Sequence, residues 1–311
     1  MTHRVAAVDC GTNSLRLLVA DVDPVGRRLT DVTRRMEIIR LGQGVDRTGR
    51  LAPQALDRMT AVLRDYADVI AASGAGPVAM VATSATRDAD NSADFVHRVK
   101  DVLGVVPDVL TGAEEARLSF AGATAELDAG QAPYLVADIG GGSTELVLGA
   151  PGDQAPPAIS VNIGCVRMTE RHLHGDPPDE REVAAATADI DAALDAAAQA
   201  VAASQARTLV GLAGSVATVV AIALGLAEYD SARIHHARVS AAQVHAVTAS
   251  LLAQTRSERA AIGAMHPGRV DVIGGGALVL DQIIRRFGFA EVLASEHDIL
   301  DGIAWSLAQD K

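Results

Sequence analysis

Asp138-Ile139-Gly140-Gly141-Gly142-Ser143-Thr144-Glu145 decides how this 311-residue chain is read, because an earlier segment repeats its layout. Asp9-Cys10-Gly11-Thr12-Asn13-Ser14 again runs Asp, spacer, Gly, then small hydroxyl or amide residues. Apolar runs flank both copies: Val5 to Val8 and Leu15 to Ala20 around the first, Tyr134 to Ala137 and Leu146 to Leu148 around the second. Each copy therefore reads as strand, tight glycine turn, strand. The carboxylate ends the first strand, and the turn bares backbone N–H groups. Glycine lets that backbone approach a phosphate closely, and successive N–H groups make an anion nest. The Asp beside it can hold a metal ion. Two such loops facing each other across a cleft would grip a phosphorylated substrate from both sides.

Outward from the two loops, strand and helix patterns alternate, which predicts an α/β fold. Strands are expected near 4–9, 15–22, 29–39, 77–82, 107–110, 134–138, 144–149, 157–162, 208–212 and 270–273. Helices are expected near 53–73, 91–103, 113–127, 179–204, 215–225, 240–254, 257–264, 276–287 and 297–308. The Ala-rich stretch Glu182 to Ala203 reads as a surface helix with Ile190, Leu194 and Val201 as its apolar stripe. The repeated loop implies a duplicated domain, one over residues 1–127 and one over 128–296. The polar, Gly/Pro-bearing stretch Asp128 to Pro133 suits the boundary. The terminal segment 297–311 is a candidate to rejoin the first half.

The core has to be built from Ala, Val, Leu and Ile, because aromatics are only 3% of a chain that is 49% hydrophobic. The longest apolar stretches, such as Val216 to Leu226, are too short to span a bilayer, so no membrane association is expected. Met-Thr-His-Arg leads at once into a strand pattern, with no signal-peptide pattern. Cys10 and Cys165 do not make a disulfide framework, and a cytoplasmic location is expected. A net charge of -12 argues against a nucleic-acid partner. It leaves a polyanionic substrate open, since a few cleft arginines and a divalent ion overcome a negative exterior.

Five segments together resemble one family. They are Asp9 to Ser14; Ala82-Thr83-Ser84-Ala85-Thr86-Arg87-Asp88-Ala89-Asp90-Asn91; Thr111-Gly112-Ala113-Glu114-Glu115-Ala116-Arg117-Leu118; Asp138 to Glu145; and Ile163-Gly164-Cys165-Val166-Arg167. In this order they resemble the exopolyphosphatase/guanosine pentaphosphate phosphohydrolase family, over residues 4 to about 305. The resemblance implies two duplicated actin-like (ribonuclease H-like) α/β domains flanking an interdomain cleft. It implies Mg²⁺-dependent hydrolysis of a terminal phosphoanhydride, with inorganic polyphosphate as substrate and guanosine tetra- or pentaphosphate as a further substrate or inhibitor in the stringent response. A homodimer is compatible with it.

Phosphoryl transfer to water needs charge neutralisation and a positioned nucleophile. A carboxylate can orient and deprotonate that water. Glu114 and Glu115 open a helix, where the dipole favours acids whatever their role. The family's catalytic Glu lies in this Glu-Glu-Ala-Arg segment, which puts it at Glu115, with Glu114 as second choice. Asp9, Asp138 and Glu145 are the candidate metal ligands. The candidate phosphate-binding residues are Gly11, Thr12, Asn13, Ser14, Arg87, Gly140, Gly141, Gly142, Ser143, Thr144, Gly214 and Ser215. Asp138 or Ser215 alone would also serve as a turn or helix cap. Asn91 can cap the next helix, and Arg117 can pair with Glu114 or reach the cleft. Arg167 is expected to orient an acidic residue or the cleft wall. His235 and His236 adjoin, and no metal-ligand cluster is visible among the nine histidines. The segment Asp298-Ile299-Leu300-Asp301-Gly302 lacks the Arg of the family's Gly-Leu-Arg-Glu-Gly-like segment. The chain also lacks the helical C-terminal module of longer members, so short polyphosphate chains are the expected substrates. A sugar kinase of the same superfold would need its base on another segment. A non-catalytic sensor of guanosine tetra- or pentaphosphate would need no Glu115.

Overall fold

The computed structural model describes residues 2–26 and 28–309, the side chain of residue 309 excepted. They form two compact units, one running to Gly122 and resuming at Asp298, the other Ala123–His297. The division falls inside the helix Gly112–Thr124, ahead of the 128–133 stretch.

In the first unit, β1 (His3–Cys10), β2 (Ser14–Asp23) and β3 (Arg28–Ile38) form an antiparallel meander. Then come α1 (Val45–Thr48), α2 (Pro53–Ser73), β4 (Val78–Ala82), α3 (Ser84–Arg87), α4 (Ser92–Leu103), β5 (Asp108–Val109) and α5 (Gly112–Thr124). The sheet order is β3-β2-β1-β4-β5, with β4 parallel to β1 and β5 parallel to β4. Alternation along the strands gives the sheet two apolar faces. Ala6, Val8, Leu15 and Leu17 pack with Leu56, Met59 and Leu63 of α2 and Phe95 and Val99 of α4. Val5, Ala7, Leu18 and Ala20 belong to a second cluster, described below.

The second unit holds β6 (Tyr134–Ile139), β7 (Thr144–Gly149), β8 (Ala158–Val161), α6 (Cys165–His172), α7 (Glu180–Ala200), β9 (Thr208–Leu212), α8 (Ala213–Ala223), α9 (Ser231–Ile234), β10 (Arg238–Ser240), α10 (Ala241–Ala253), α11 (Arg256–Ala260), α12 (Ile273–Phe287) and β11 (Glu291–Ala294). Its sheet runs β10-β11-β9-β6-β7-β8. The stretch β8-β7-β6-β9-β11 repeats the order and strand directions of the first sheet, with β10 added antiparallel at the edge. The fold is therefore duplicated. The Ala-rich helix α7 starts on an Asp179/Glu182 capping box and buries Ala186, Ile190, Leu194 and Ala197 along one face.

Residues 270–273 do not form the expected strand; they lead from a turn into α12. Gly275 and Gly276 lie in the first turns of α12, where an added Cβ would overlap the Cys165 carbonyl and the Ser215 side chain. The fifth strand of the repeat is β11, only four residues long and without a readable period. The expected helix over 257–264 shortens to α11.

The chain finally returns to the first unit as α13 (Ile299–Gln309). Its Ile299, Leu300, Ile303, Ala304 and Ala308 cover the face carrying Val5, Ala7, Leu18 and Ala20. α5 and α13 touch through glycines: a Cβ on Gly122 would strike the Asp298 carbonyl, and one on Gly302 the Leu118 carbonyl. Gly302→Val is therefore expected to destabilise the chain by about 1–3 kcal/mol through overpacking. Urea unfolding checks this, and an unchanged midpoint would refute the close contact.

Candidate active site

The two glycine turns have the same local geometry. Gly11 N donates to Ser14 O at 3.0 Å, and Gly140 N to Ser143 O at 3.0 Å. In the first copy the carbonyls of Thr12 and Asn13 accept from Gly42, Ile39 and Arg40, and the Thr12 hydroxyl bonds Ser84 at 2.8 Å. In the second copy the loop receives the start of α6: Cys165 N donates to Gly140 O, and Val166 N and Arg167 N to Gly141 O. These bonds satisfy N–H groups that a helix start leaves open. Buried Arg167 adds a 2.6 Å bond from Nε to Gly142 O. Arg167 thus holds the glycine loop. The Thr144 hydroxyl donates to the Ile163 carbonyl.

The copies differ in the residue facing the Asp across the strand pair. Asp138 stands directly opposite Glu145, and Asp9 directly opposite Arg16. Arg16 donates to Asp9 Oδ2 from Nε at 2.9 Å and Nη2 at 2.7 Å, and its Nη1 reaches Asp298. Burial still pushes the Asp9 carboxyl above its ordinary range, against the pull of Arg16. Asp9 Oδ1 is buried without a hydrogen-bond partner, so it is the atom Asp9 has to offer a cation. Asp138 and Glu145 are 8% and 1% exposed, and Ser160 donates to Glu145 Oε1 at 2.6 Å. Like charges placed directly opposite on a sheet repel, so a cation suits this position. All-oxygen donors fit Mg²⁺, which is held by one or two carboxylates and keeps several waters.

The two glutamates of α5 part company. Glu114 is exposed and makes a capping box, accepting from Thr111 N at 2.8 Å and Thr111 Oγ1 at 2.7 Å. Those bonds hold its carboxyl below the ordinary glutamate range. Glu115 is 8% exposed and takes a 3.1 Å bond from Arg87 Nη1, which also donates to Leu110 O at 2.7 Å. Arg87 closes α3 just past β4, and Leu110 follows β5, so two strand ends aim it at Glu115. Arg117 bonds Ala113 O. Asn91 does not cap α4; its side chain clasps the backbone of Leu51.

In the second unit, Gly214 and Ser215 sit in the first turn of α8, behind Ala213 at φ 66°. A left-handed alanine is strained by roughly 1–2 kcal/mol. The Arg269 guanidinium lies directly against Gly214, where a Cβ would overlap it.

Residues 18–310 match the Ppx/GppA phosphatase family. The chain belongs to that family. It is 50% identical to Exopolyphosphatase 2 of Mycobacterium tuberculosis, over 98% of both chains. A solved exopolyphosphatase-like protein shares 45% identity and a TM-score of 0.91, covering 96% of this chain and 97% of the other. The PPX-GPPA enzyme of Aquifex aeolicus shares 29% identity and a TM-score of 0.81, covering 98% of this chain and 100% of the other. As a Ppx/GppA member the chain is a phosphoanhydride hydrolase of α/β fold, built on two sheets of matching strand order.

Four residues beside the candidates of this Ppx/GppA chain escaped the sequence reading. Arg16 was readable by extending the alignment of the two loops two residues, where it takes the place of Glu145. Asp298 neutralises Arg16 from 282 residues away, and Asp301 takes a 2.6 Å bond from Arg34 in the same way. The helix that lacks the family's Arg thus brings carboxylates to two arginines of the sheet. Arg269 carried no local signal. Arg16→Met would leave Asp9 and Asp298 buried without their cation and is expected to cost about 3–5 kcal/mol of stability, read from the urea midpoint.

Proposed function

We propose that this protein is an exopolyphosphatase acting in the cytoplasm, releasing orthophosphate from the end of inorganic polyphosphate, preferably short chains. The observation that carries the reading is Glu115, a buried carboxylate held by Arg87 beside a strand end. The end-to-end likeness to a named exopolyphosphatase supports the substrate, and two buried free cysteines agree with a reducing compartment.

In this reading Glu115 accepts the proton of the attacking water while Arg87 fixes its direction. Each glycine turn, at Gly11 in one unit and Gly140 in the other, offers an N–H edge suited to the negative oxygens of a phosphate. Asp138 and Glu145 would hold Mg²⁺, which would neutralise charge on the substrate, and in the first unit Asp9 would offer a cation its Oδ1. Ser215 and the first turn of α8 take a more distant phosphate, while Glu114 stays a structural cap.

Orthophosphate release with Mg²⁺ from short polyphosphate, long polyphosphate and guanosine pentaphosphate tests the proposal. Release from polyphosphate, greatest with short chains, is expected. Release from guanosine pentaphosphate alone would transfer the assignment to that substrate. Tight binding without release from any of them would make the protein a nucleotide sensor.

A further inference from the structure

The second unit gathers imidazoles around one carboxylate. His235 Nε2 lies 3.9 Å from Glu126 Oε2, and His297 Nδ1 lies 3.6 Å from the same oxygen. One ligand atom from each of Glu126, His235 and His297 falls within 4.8 Å of the others. The His236 ring stacks on His235 at 3.7 Å, and the His297 ring sits 4.5 Å from His235.

Backbone pairing builds this arrangement. Beside the β10–β11 ladder, His236 N donates to Ala294 O at 2.8 Å and Ala294 N to Ala237 O at 2.9 Å. His236 adopts φ 60°, a left-handed conformation uncommon outside glycine. Ser295 Oγ bonds both the carbonyl and the N–H of His297, fixing the turn that carries the ring. Glu126 arrives just after α5. Three chain segments thus converge, and the fixed rings leave little ordering for a ligand to impose.

We propose that Glu126, His235 and His297 bind a divalent transition-metal ion of the zinc class. Two imidazoles and one carboxylate are a three-ligand zinc donor set. The side chains are 51%, 23% and 26% exposed, which gives the ion an entry path and a water for the fourth position. Mg²⁺ is disfavoured, because imidazole suits zinc, copper and nickel while magnesium prefers oxygen. Loading has a proton requirement. Glu296 N donates to His235 Nδ1 at 3.1 Å, so the neutral ring carries its proton on Nε2, facing Glu126. The ion takes Nε2, the proton moves to Nδ1, and the Glu296 bond opens. Burial holds the His236 imidazole below its ordinary range, against the pull of Glu126. Glu296, which bonds His235, also accepts from Tyr229 Oη at 2.6 Å. Protons compete for both ligating rings, so affinity falls as pH drops through the imidazole range.

The ion would join residue 126, soon after the chain enters the second unit, to residue 297, the last before it leaves. It would therefore staple the entering and leaving segments of that unit.

Calorimetric titration of Zn²⁺ into the untagged, EDTA-treated full chain tests the site at about pH 7.5 and about pH 5.5, either side of the imidazole pKa. One ion per chain is expected at the higher pH, unaffected by excess Mg²⁺ and at least tenfold weaker at the lower. His297→Ala is expected to weaken it at least tenfold and His236→Ala to leave it intact. Glu126→Gln, a change at an exposed side chain, serves as the second variant if His297→Ala melts differently in EDTA. No bound ion, or equal binding by wild type and both ligand variants, overturns the proposal. The readout requires no phosphatase activity.

Discussion

Glu115→Gln is expected to lower orthophosphate release from polyphosphate by about 10²- to 10⁴-fold, the usual contribution of a positioned general base. Gln keeps the shape of Glu and an oxygen for the Arg87 bond, so folding should survive. It cannot take the proton from water. Glu114→Gln is the paired control. Glu114 is exposed and bonded to Thr111, so its loss weakens a helix cap and leaves the rate within a few-fold of wild type. Steady-state phosphate release and circular dichroism on both variants check the pair. A Glu114 variant that loses the larger share of activity would reverse the assignment between neighbours.

Glu145→Gln should pull stability and activity in opposite directions. In EDTA two buried carboxylates face each other across β6 and β7, and the substitution removes one charge while keeping an oxygen for Ser160. Relief of roughly 1 kcal/mol would raise the melting temperature by about 2–4 °C. With Mg²⁺ the same change would remove a proposed metal ligand. Metal stabilisation is worth several kcal/mol in the transition state, so hydrolysis should drop by about 10²-fold or more. Melting curves with and without Mg²⁺, beside rates over a Mg²⁺ titration, measure both effects. A variant that melts lower in EDTA and hydrolyses normally would show that Glu145 is a structural acid.

The opposite signs explain what was legible beforehand. A glycine turn between two apolar runs is written in eight consecutive residues, so both turns and the duplication could be read directly. Glu115 was narrowed to a pair by family resemblance. What separates the pair is the helix face: Glu115 turns toward Arg87, while Glu114 folds back on Thr111. Adjacent helical residues point about 100° apart, and only the tertiary packing says which direction is inward. The distant partners of Arg16 and Arg34 lay beyond reach, because Asp298 and Asp301 come from the far end of the chain. The histidine cluster was missed because His235 was weighed against its neighbour His236, whereas its ligand partners are 126 and 297. The strands β10 and β11 were missed because three or four residues carry no period.

The return of α13 to the first sheet sets an order of assembly during synthesis. The ribosome makes β1 to β5 first, yet one face of their sheet stays bare until Ile299, Leu300, Ile303 and Ala304 have left the exit tunnel. The second unit is continuous, so its chain is complete while the earlier sheet is still waiting. The half translated first is therefore completed last. During that interval Val5, Ala7, Leu18 and Ala20 are the surface a chaperone would have to shield.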